Sequence, residues 1–150
     1  MKTIYLAVME QLKEQVPALK WIDLDVGQIN NQKERPAVAF PCAVVGISLS
    51  NCEDQYGKVQ VCRARISVRI AQNPPVSRTN SVAADDVRES ALSRYELIDD
   101  VFRVLQGFET PEFNPLSRTG QAEEKRTDGL FVYHIDFATE FQDLTAEGEE

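Results

Sequence analysis

The sequence of 150 residues has only three cysteines, one histidine and no long apolar run. Cys42, Cys52 and Cys62 recur at a spacing that fits no zinc motif, and an odd count without a secretion signal argues against a disulfide framework. We expect Cys42 and Cys62 to be buried in strands and Cys52 to be exposed in a loop. No apolar stretch reaches the roughly 18 residues of a membrane span. We therefore expect reduced thiols and a protein made and kept in the cytoplasm.

Motifs for catalysis and ligand binding are also lacking. The glycines form no phosphate-binding loop, and the acidic pairs Asp85-Asp86, Asp99-Asp100 and Glu123-Glu124 are adjacent, so their side chains diverge from a common metal. His134 and Asp136 share one face of a predicted strand, but no nucleophile accompanies them, and an enzyme built on this pair is only a third hypothesis. We interpret them as a polar cross-strand pair. The prediction is a non-enzymatic protein without cofactor or metal.

Charge and size limit the class of protein further. The net charge is -8 and the isoelectric point about 4.7, which counts against general nucleic-acid binding and against adsorption to anionic membranes. A hydrophobic fraction of 43% is enough for a real core. We predict one domain over residues 1–143 and an acidic, flexible C-terminal tail over residues 144–150.

Two long segments show the alternation of apolar and polar residues that is typical of strands, Lys58–Ala71 and Leu130–Asp143. Fourteen extended residues would span roughly 46 Å at about 3.3 Å each. A compact chain of this length has a diameter of only about 38 Å. The sequence therefore predicts sheet that projects beyond the core, where neighbouring copies could cover it, as in a subunit of an assembly.

The remaining segments complete an α+β pattern. The first half has an amphipathic helix over 3–16, a short strand over 22–26, a polar loop over 28–35 and a strand over 37–47, which Pro41 makes an edge strand or a bulge. The second half has a helix over 92–106 that opens with a Ser93/Glu96 capping box. A polar hairpin arm over 116–126 then precedes a type I′ turn at Asp128-Gly129. We predict a mostly antiparallel sheet with two helices packed on one face, a polar opposite face and a long protruding β-hairpin.

An arginine stripe is the most suggestive polar feature, because the acidic protein places Arg63, Arg65 and Arg69 on one face of one strand. These side chains could pair with acids of adjacent strands, namely Glu123, Glu124, Asp136 and Glu140, or keep an edge soluble. Alternatively they could meet an acidic patch of the next subunit or line a passage for nucleic acid. The polar segment 76–84 is a second candidate contact, with the residues Ser77, Arg78 and Asn80.

The order of elements resembles the tail-terminator and tail-completion proteins of long-tailed bacteriophages and prophages. The resemblance rests on the helix Ile4–Val16, the strand Pro36–Pro41, the helix Leu92–Gln106 followed by Gly107, and the final strand Leu130–Phe137. It implies a small structural subunit that forms a ring, typically hexameric, caps the tail tube and joins it to the head. The implied partners are other copies, the tail tube protein and head-tail connector proteins, with DNA at most passing through the ring. The implied location is the host cytoplasm during assembly and then the virion tail.

Two alternatives stay open. Related neck and minor tail proteins have a similar order of elements. A stand-alone ligand- or peptide-binding domain could instead enclose a pocket near the aromatic residues Trp21, Tyr95, Phe102 and Tyr133. An assembly subunit should form oligomers, whereas a binding domain should be a monomer that a ligand stabilises.

Overall fold

The fold is a five-stranded sheet covered by helices, seen in a computed structural model that describes residues 1–148. In chain order the elements are α1 (Lys2–Gln15), β1 (Trp21–Leu24), β2 (Cys42–Tyr56), β3 (Val59–Gln72), α2 (Asp85–Leu92), α3 (Arg94–Leu105), β4 (Ser117–Glu124), β5 (Phe131–Asp143) and a 3-10 helix (Thr145–Glu147). The strand order is β1-β2-β3-β5-β4; β1 is parallel to β2, and all other neighbours are antiparallel. The predicted α+β fold with a mostly antiparallel sheet is confirmed.

The main core lies between the sheet and two helices, α1 and α3. The buried stripe of α1 recurs every four residues at Ile4, Val8 and Leu12, as the sequence predicted. It meets the buried side chains of α3 and the even-numbered residues of β3, from Ala64 to Ile70. Burying each large aliphatic side chain contributes about 1.5–3 kcal/mol. Because these side chains form one cluster, both helices cover the same face, which agrees with the prediction.

The second predicted helix is divided in two at Ser93. The capping-box prediction is wrong, because Ser93 has helical rather than extended backbone angles, and its hydroxyl donates to the carbonyl of Ser90 at 2.7 Å. A serine that hydrogen-bonds back into the preceding turn does not cap the next one. Leu92, at the predicted start of this helix, is 47% exposed.

Strand β2 differs most from its prediction. It begins after a cis peptide bond between Phe40 and Pro41 and continues to Tyr56, so Cys52 lies in a strand and not in a loop, although it is exposed as expected. Its inner half lies between β1 and β3, so the prediction of an edge strand is wrong there. Because β1 ends opposite Val45, the outer half of β2, residues 46–56, pairs its backbone with β3 alone among the strands of residues 1–148. The exposed strand end at 51–56 agrees with the expectation of projecting sheet.

A second, smaller core lies on the opposite face of the sheet, so the prediction of a wholly polar face is wrong. Its buried members are Ile29, Cys42, Val44, Ala71, Leu130 and Val132. Ile29 comes from the segment 28–35, which was expected to be only a polar loop. This segment is held down because Arg126 donates to the Ile29 carbonyl at 2.7 Å and pairs with Asp128 at 2.6 Å.

The hairpin of β4 and β5 has its predicted polar first arm but a different turn. Residues 125–130 connect the strands. A type I′ turn needs positive φ at both central residues, whereas only Gly129, at 83°, has positive φ here. Asp128 instead accepts a hydrogen bond from the Leu130 amide at 3.2 Å and pairs with Arg126. The type I′ prediction is therefore wrong.

Candidate subunit interface

A line of alternating charges crosses the sheet face opposite the main helices. We call it the polar network; its members are Asp25, Arg69, Glu124, His134, Asp136 and Arg65. Arg69 is its centre. Its guanidinium donates two hydrogen bonds to Glu124, at 2.8 and 2.9 Å, and contacts Asp25 at 3.3 Å and the amide oxygen of Asn30 at 2.7 Å. These contacts join β3 and β4 to the segment that follows β1.

The burial and the pKa of Arg69 indicate that its charge stabilises the fold. Its side chain is only 14% exposed, and the hydrogen bonds with Glu124 raise its pKa. Burial raises the pKa of Glu124, but the hydrogen bond and charge of Arg69, aided by His134, outweigh burial and hold that pKa below its usual range. Arg69 thus pairs with Glu124, one of the acids that the sequence suggested, but β4 is not adjacent to β3: the contact reaches across β5.

His134 and Asp136 share a face, as predicted. The two ring nitrogens of His134 face carboxylates, with Nδ1 3.5 Å from Glu124 and Nε2 3.9 Å from Asp136. Asp136 also pairs with Arg65 at 3.0 Å. These contacts make His134 a member of the polar network, which agrees with the interpretation of a cross-strand pair.

Two arginines of β3, Arg63 and Arg65, face solvent on the half of the strand that leads to the tip of the β2–β3 hairpin. The Arg65 side chain remains 57% exposed despite its contact with Asp136. Arg63 is exposed and lies opposite Glu140 in register, yet within residues 1–148 it makes no ion pair at 4 Å or less. Next to them, the outer half of β2 carries Glu53 and Asp54 on an exposed strand. This end of the sheet therefore combines two exposed arginines, of which only Arg65 is ion-paired within residues 1–148, two carboxylates that accept hydrogen bonds from amide side chains, and an open strand edge.

The tip itself is held by the end of the chain. Glu147 accepts a hydrogen bond from the amide of Lys58 at 2.7 Å, and its 3-10 helix lies beside β3. Glu147 belongs to the segment 144–150, which was predicted to be a flexible tail. Residues 149–150 of that segment lie outside the described range.

The segment 76–84 is not part of the same surface. At about 3.3 Å per residue, β3 from Arg63 to Gln72 spans roughly 30 Å, and the segment follows the far end of β3. Arg94 anchors it by donating to the carbonyl of Val76 at 2.6 Å. The candidate residues in it are all exposed, namely Ser77, Arg78 and Asn80. The structure thus divides the predicted interface residues into two separate groups.

The four aromatic residues of the alternative hypothesis do not enclose one pocket. Tyr95 packs edge-on against Phe131 and Tyr133, with ring centroids 5.6 and 6.4 Å apart. Trp21 is on β1, and two strands, about 14 Å of sheet, separate it from β5. Trp21 is 44% exposed at the edge of the sheet, although its hydrophobic side chain favours a buried position.

Two general features bear on function. Across residues 1–148, no group of three or more histidine, cysteine or acidic residues converges in a way that could hold a metal ion. None of the helices in that range combines the length and the apolar character needed to cross a bilayer.

Comparisons with known proteins give a fold but not a family. No protein-family model matches this sequence, and no curated protein matches it. Among solved structures, the fold is similar to that of a chain in the virion of a native gene transfer agent particle, with a TM-score of 0.58 and 11% sequence identity. The similarity covers 93% of this chain and 95% of the other. The two proteins therefore share the whole fold.

Proposed function

We propose that this chain is a structural subunit of a phage-like virion, and that it is a tail-terminator or tail-completion protein whose copies form a ring. The observation that carries the proposal is the end-to-end similarity in fold to a virion chain, 93% of one and 95% of the other. In this proposal the protein has no catalytic activity and no cofactor, and DNA at most passes through the ring. Its partners are other copies, a tail tube protein and head-tail connector proteins.

The open edges of the sheet support self-association. Strand β4 has β5 as its only neighbour and is exposed almost throughout, while the outer half of β2 is open on the other side. A chain with different free surfaces on its two sides can join head to tail, and such contacts close into rings when the rotation allows. We place the subunit contact at the outer half of β2 with Arg63 and Arg65, and we assign the segment 76–84 to a different partner.

The first experiment is the solution mass, measured by size-exclusion chromatography with light scattering over a wide concentration range, followed by negative-stain imaging. We expect rings of about six copies, because the resemblance to tail-terminator proteins implies a hexameric ring and head-to-tail contacts can close into rings. Arg63→Glu should weaken assembly by about tenfold, which is 1.4 kcal/mol. Arg63 is preferred to Arg65 as the test position because Arg65 pairs with Asp136 of its own chain, whereas Arg63 makes no ion pair within residues 1–148. The new glutamate lies opposite Glu140, so the thermal unfolding of the variant is measured beside its solution mass.

The matched control is Arg103→Glu, the same reversal on α3. Arg103 is exposed and pairs only with Asp100 of its own helix, so its loss costs little and should leave the ring unchanged. Equal behaviour of the two variants would contradict the assigned interface. A monomer at every concentration that also fails to bind isolated tail tubes would contradict the function and favour the ligand-binding alternative.

A further inference from the structure

Two of the cysteines face each other across the projecting part of the sheet. Cys52 of β2 and Cys62 of β3 are register partners, and directly opposite residues of antiparallel strands point to the same face. Their Cα atoms lie about 4.5 or 5.5 Å apart, depending on the type of pair. A disulfide accommodates about 4.4–6.8 Å. We propose that Cys52 and Cys62 are a dithiol site that an oxidising disulfide converts to an intramolecular disulfide across the hairpin.

The two thiols differ in a way that sets the order of reaction. Cys52 is exposed, whereas Cys62 is 0% exposed. Burial, followed by the neighbouring Cys52 thiol, raises the pKa of Cys62 to about 11. The thiolate is the reactive form of cysteine, so the buried partner reacts slowly with reagents from solution. Cys52 is therefore the point of attack, and Cys62 is the resolving thiol.

With glutathione disulfide as the oxidant, the disulfide forms in two thiol–disulfide exchange steps. The Cys52 thiolate attacks one sulfur of the oxidant, which forms a mixed disulfide and releases one glutathione thiolate. The Cys62 thiol then loses its proton and attacks the Cys52 sulfur, which forms the Cys52–Cys62 bond and releases a second glutathione thiolate. The pair of thiols loses two electrons and two protons, and one glutathione disulfide becomes two glutathione molecules.

The position of this bond gives it a structural effect. Between Leu49 and Asn51 and again between Asp54 and Tyr56 the register of β2 and β3 shifts, and Cys52 lies between the two shifts. Within residues 1–148, β3 is the only strand whose backbone pairs with β2 there. Bulges and unsupported strands are places where register can slip, so a covalent link at this pair would fix the register of the hairpin. The two thiols belong to one chain, but the proposed subunit contact covers the outer half of β2, so the oxidation is carried out on dilute protein, below the concentration at which copies associate.

The test is oxidation of the folded protein with glutathione disulfide, followed by counting of free thiols after denaturation and by peptide mapping. We expect the count to fall from three to one. Trypsin cleaves after Lys58, between the two cysteines, so the disulfide joins two otherwise separate peptides. Their linked mass shows that Cys62 is joined to the peptide 34–58, which carries both Cys42 and Cys52 because trypsin does not cleave between Arg35 and Pro36. The Cys42→Ala variant then decides which of these two cysteines forms the bond.

Three variants make the test specific. Cys42→Ala removes the buried thiol of the second core and should still form the linked peptide, with no free thiol left. Cys52→Ser should keep both remaining thiols free, and Cys62→Ala should stop at a mixed disulfide with glutathione on Cys52. The proposal is overturned if the wild-type protein also stops at that mixed disulfide, or if Cys52 links two chains instead of one.

Discussion

Replacing Arg69 with methionine should separate the structural arginine from the candidate interface arginines. The change removes a side chain that is 14% exposed and leaves Glu124 and Asp25, which are 26% and 21% exposed, without their shared cation. Breaking a fully buried ion pair costs about 3–5 kcal/mol, and partial access to water lowers that cost here. We expect a loss of about 2–3 kcal/mol in the free energy of unfolding, or roughly 4–12 °C in Tm.

The matched control is Arg65→Met, the same substitution on the same strand and face. The Arg65 side chain is 57% exposed and has one acidic contact, so its loss should cost less than about 1 kcal/mol. Urea unfolding of dilute protein, below the concentration at which copies associate, measures both values. Equal losses for the two variants, or no loss for Arg69→Met, would refute the assignment of Arg69 as the centre of the polar network.

The same pair makes a prediction about pH. The pKa of Glu124 is below its usual range in the folded protein because Arg69 binds the charged form. A group with a lowered folded pKa stabilises the fold above its unfolded pKa, and this contribution disappears as the pH falls through the folded pKa. The difference in stability between wild type and Arg69→Met should therefore be complete at neutral pH and shrink below a pH of about 4.5.

Three further changes probe other contacts. Asp128→Asn leaves the buried charge of Arg126 without its counter-ion and should lower the free energy of unfolding by about 3 kcal/mol at neutral pH. This loss relative to wild type should shrink in acid, because the hydrogen bond from Arg126 lowers the pKa of Asp128. Leu12→Ala, at a side chain with 0% exposure, should cost about 2–5 kcal/mol in urea unfolding. Gly57→Ala should speed amide exchange of the hairpin tip, since φ is +52° and the new Cβ would lie 2.6 Å from Glu147.

The elements that the sequence predicted well are those whose periodicity reports burial. α1, β3 and β5 were expected within a residue or so of their observed bounds, because in each of them the apolar residues recur at the period of the element and face the main core. The pairing of Arg69 with Glu124 was among the stated alternatives, although the sequence did not show that it would reach across β5. Its contacts with Asp25 and Asn30 were not expected, because these residues follow the distant strand β1.

The outer half of β2 could not be predicted from local pattern. From Ser50 to Gln55 its residues are polar or small and exposed, so no alternation marks the strand. Backbone pairing with β3 holds it extended, and Gln142 of β5 donates a hydrogen bond to the Gln55 side chain at 2.7 Å. Ile29 was missed for a related reason. A single apolar residue in a polar segment has no period, and only the tertiary contact with the second core explains its 0% exposure.

The arginines of β3 stabilise the fold at one end of the strand and, in the proposed ring, would contact a neighbouring copy at the other. Toward the second core, Arg69 is enclosed by carboxylates of its own chain, which leaves it little capacity for another partner. Toward the tip, Arg65 keeps one such contact and Arg63 none among residues 1–148. Free charge thus increases along the strand toward the end where β2 loses its outer neighbour. Since exposed charges steer encounter and fix register more than they add affinity, the outer arginines suit the alignment of neighbouring copies, while backbone pairing at the open edge of β2 would supply the binding.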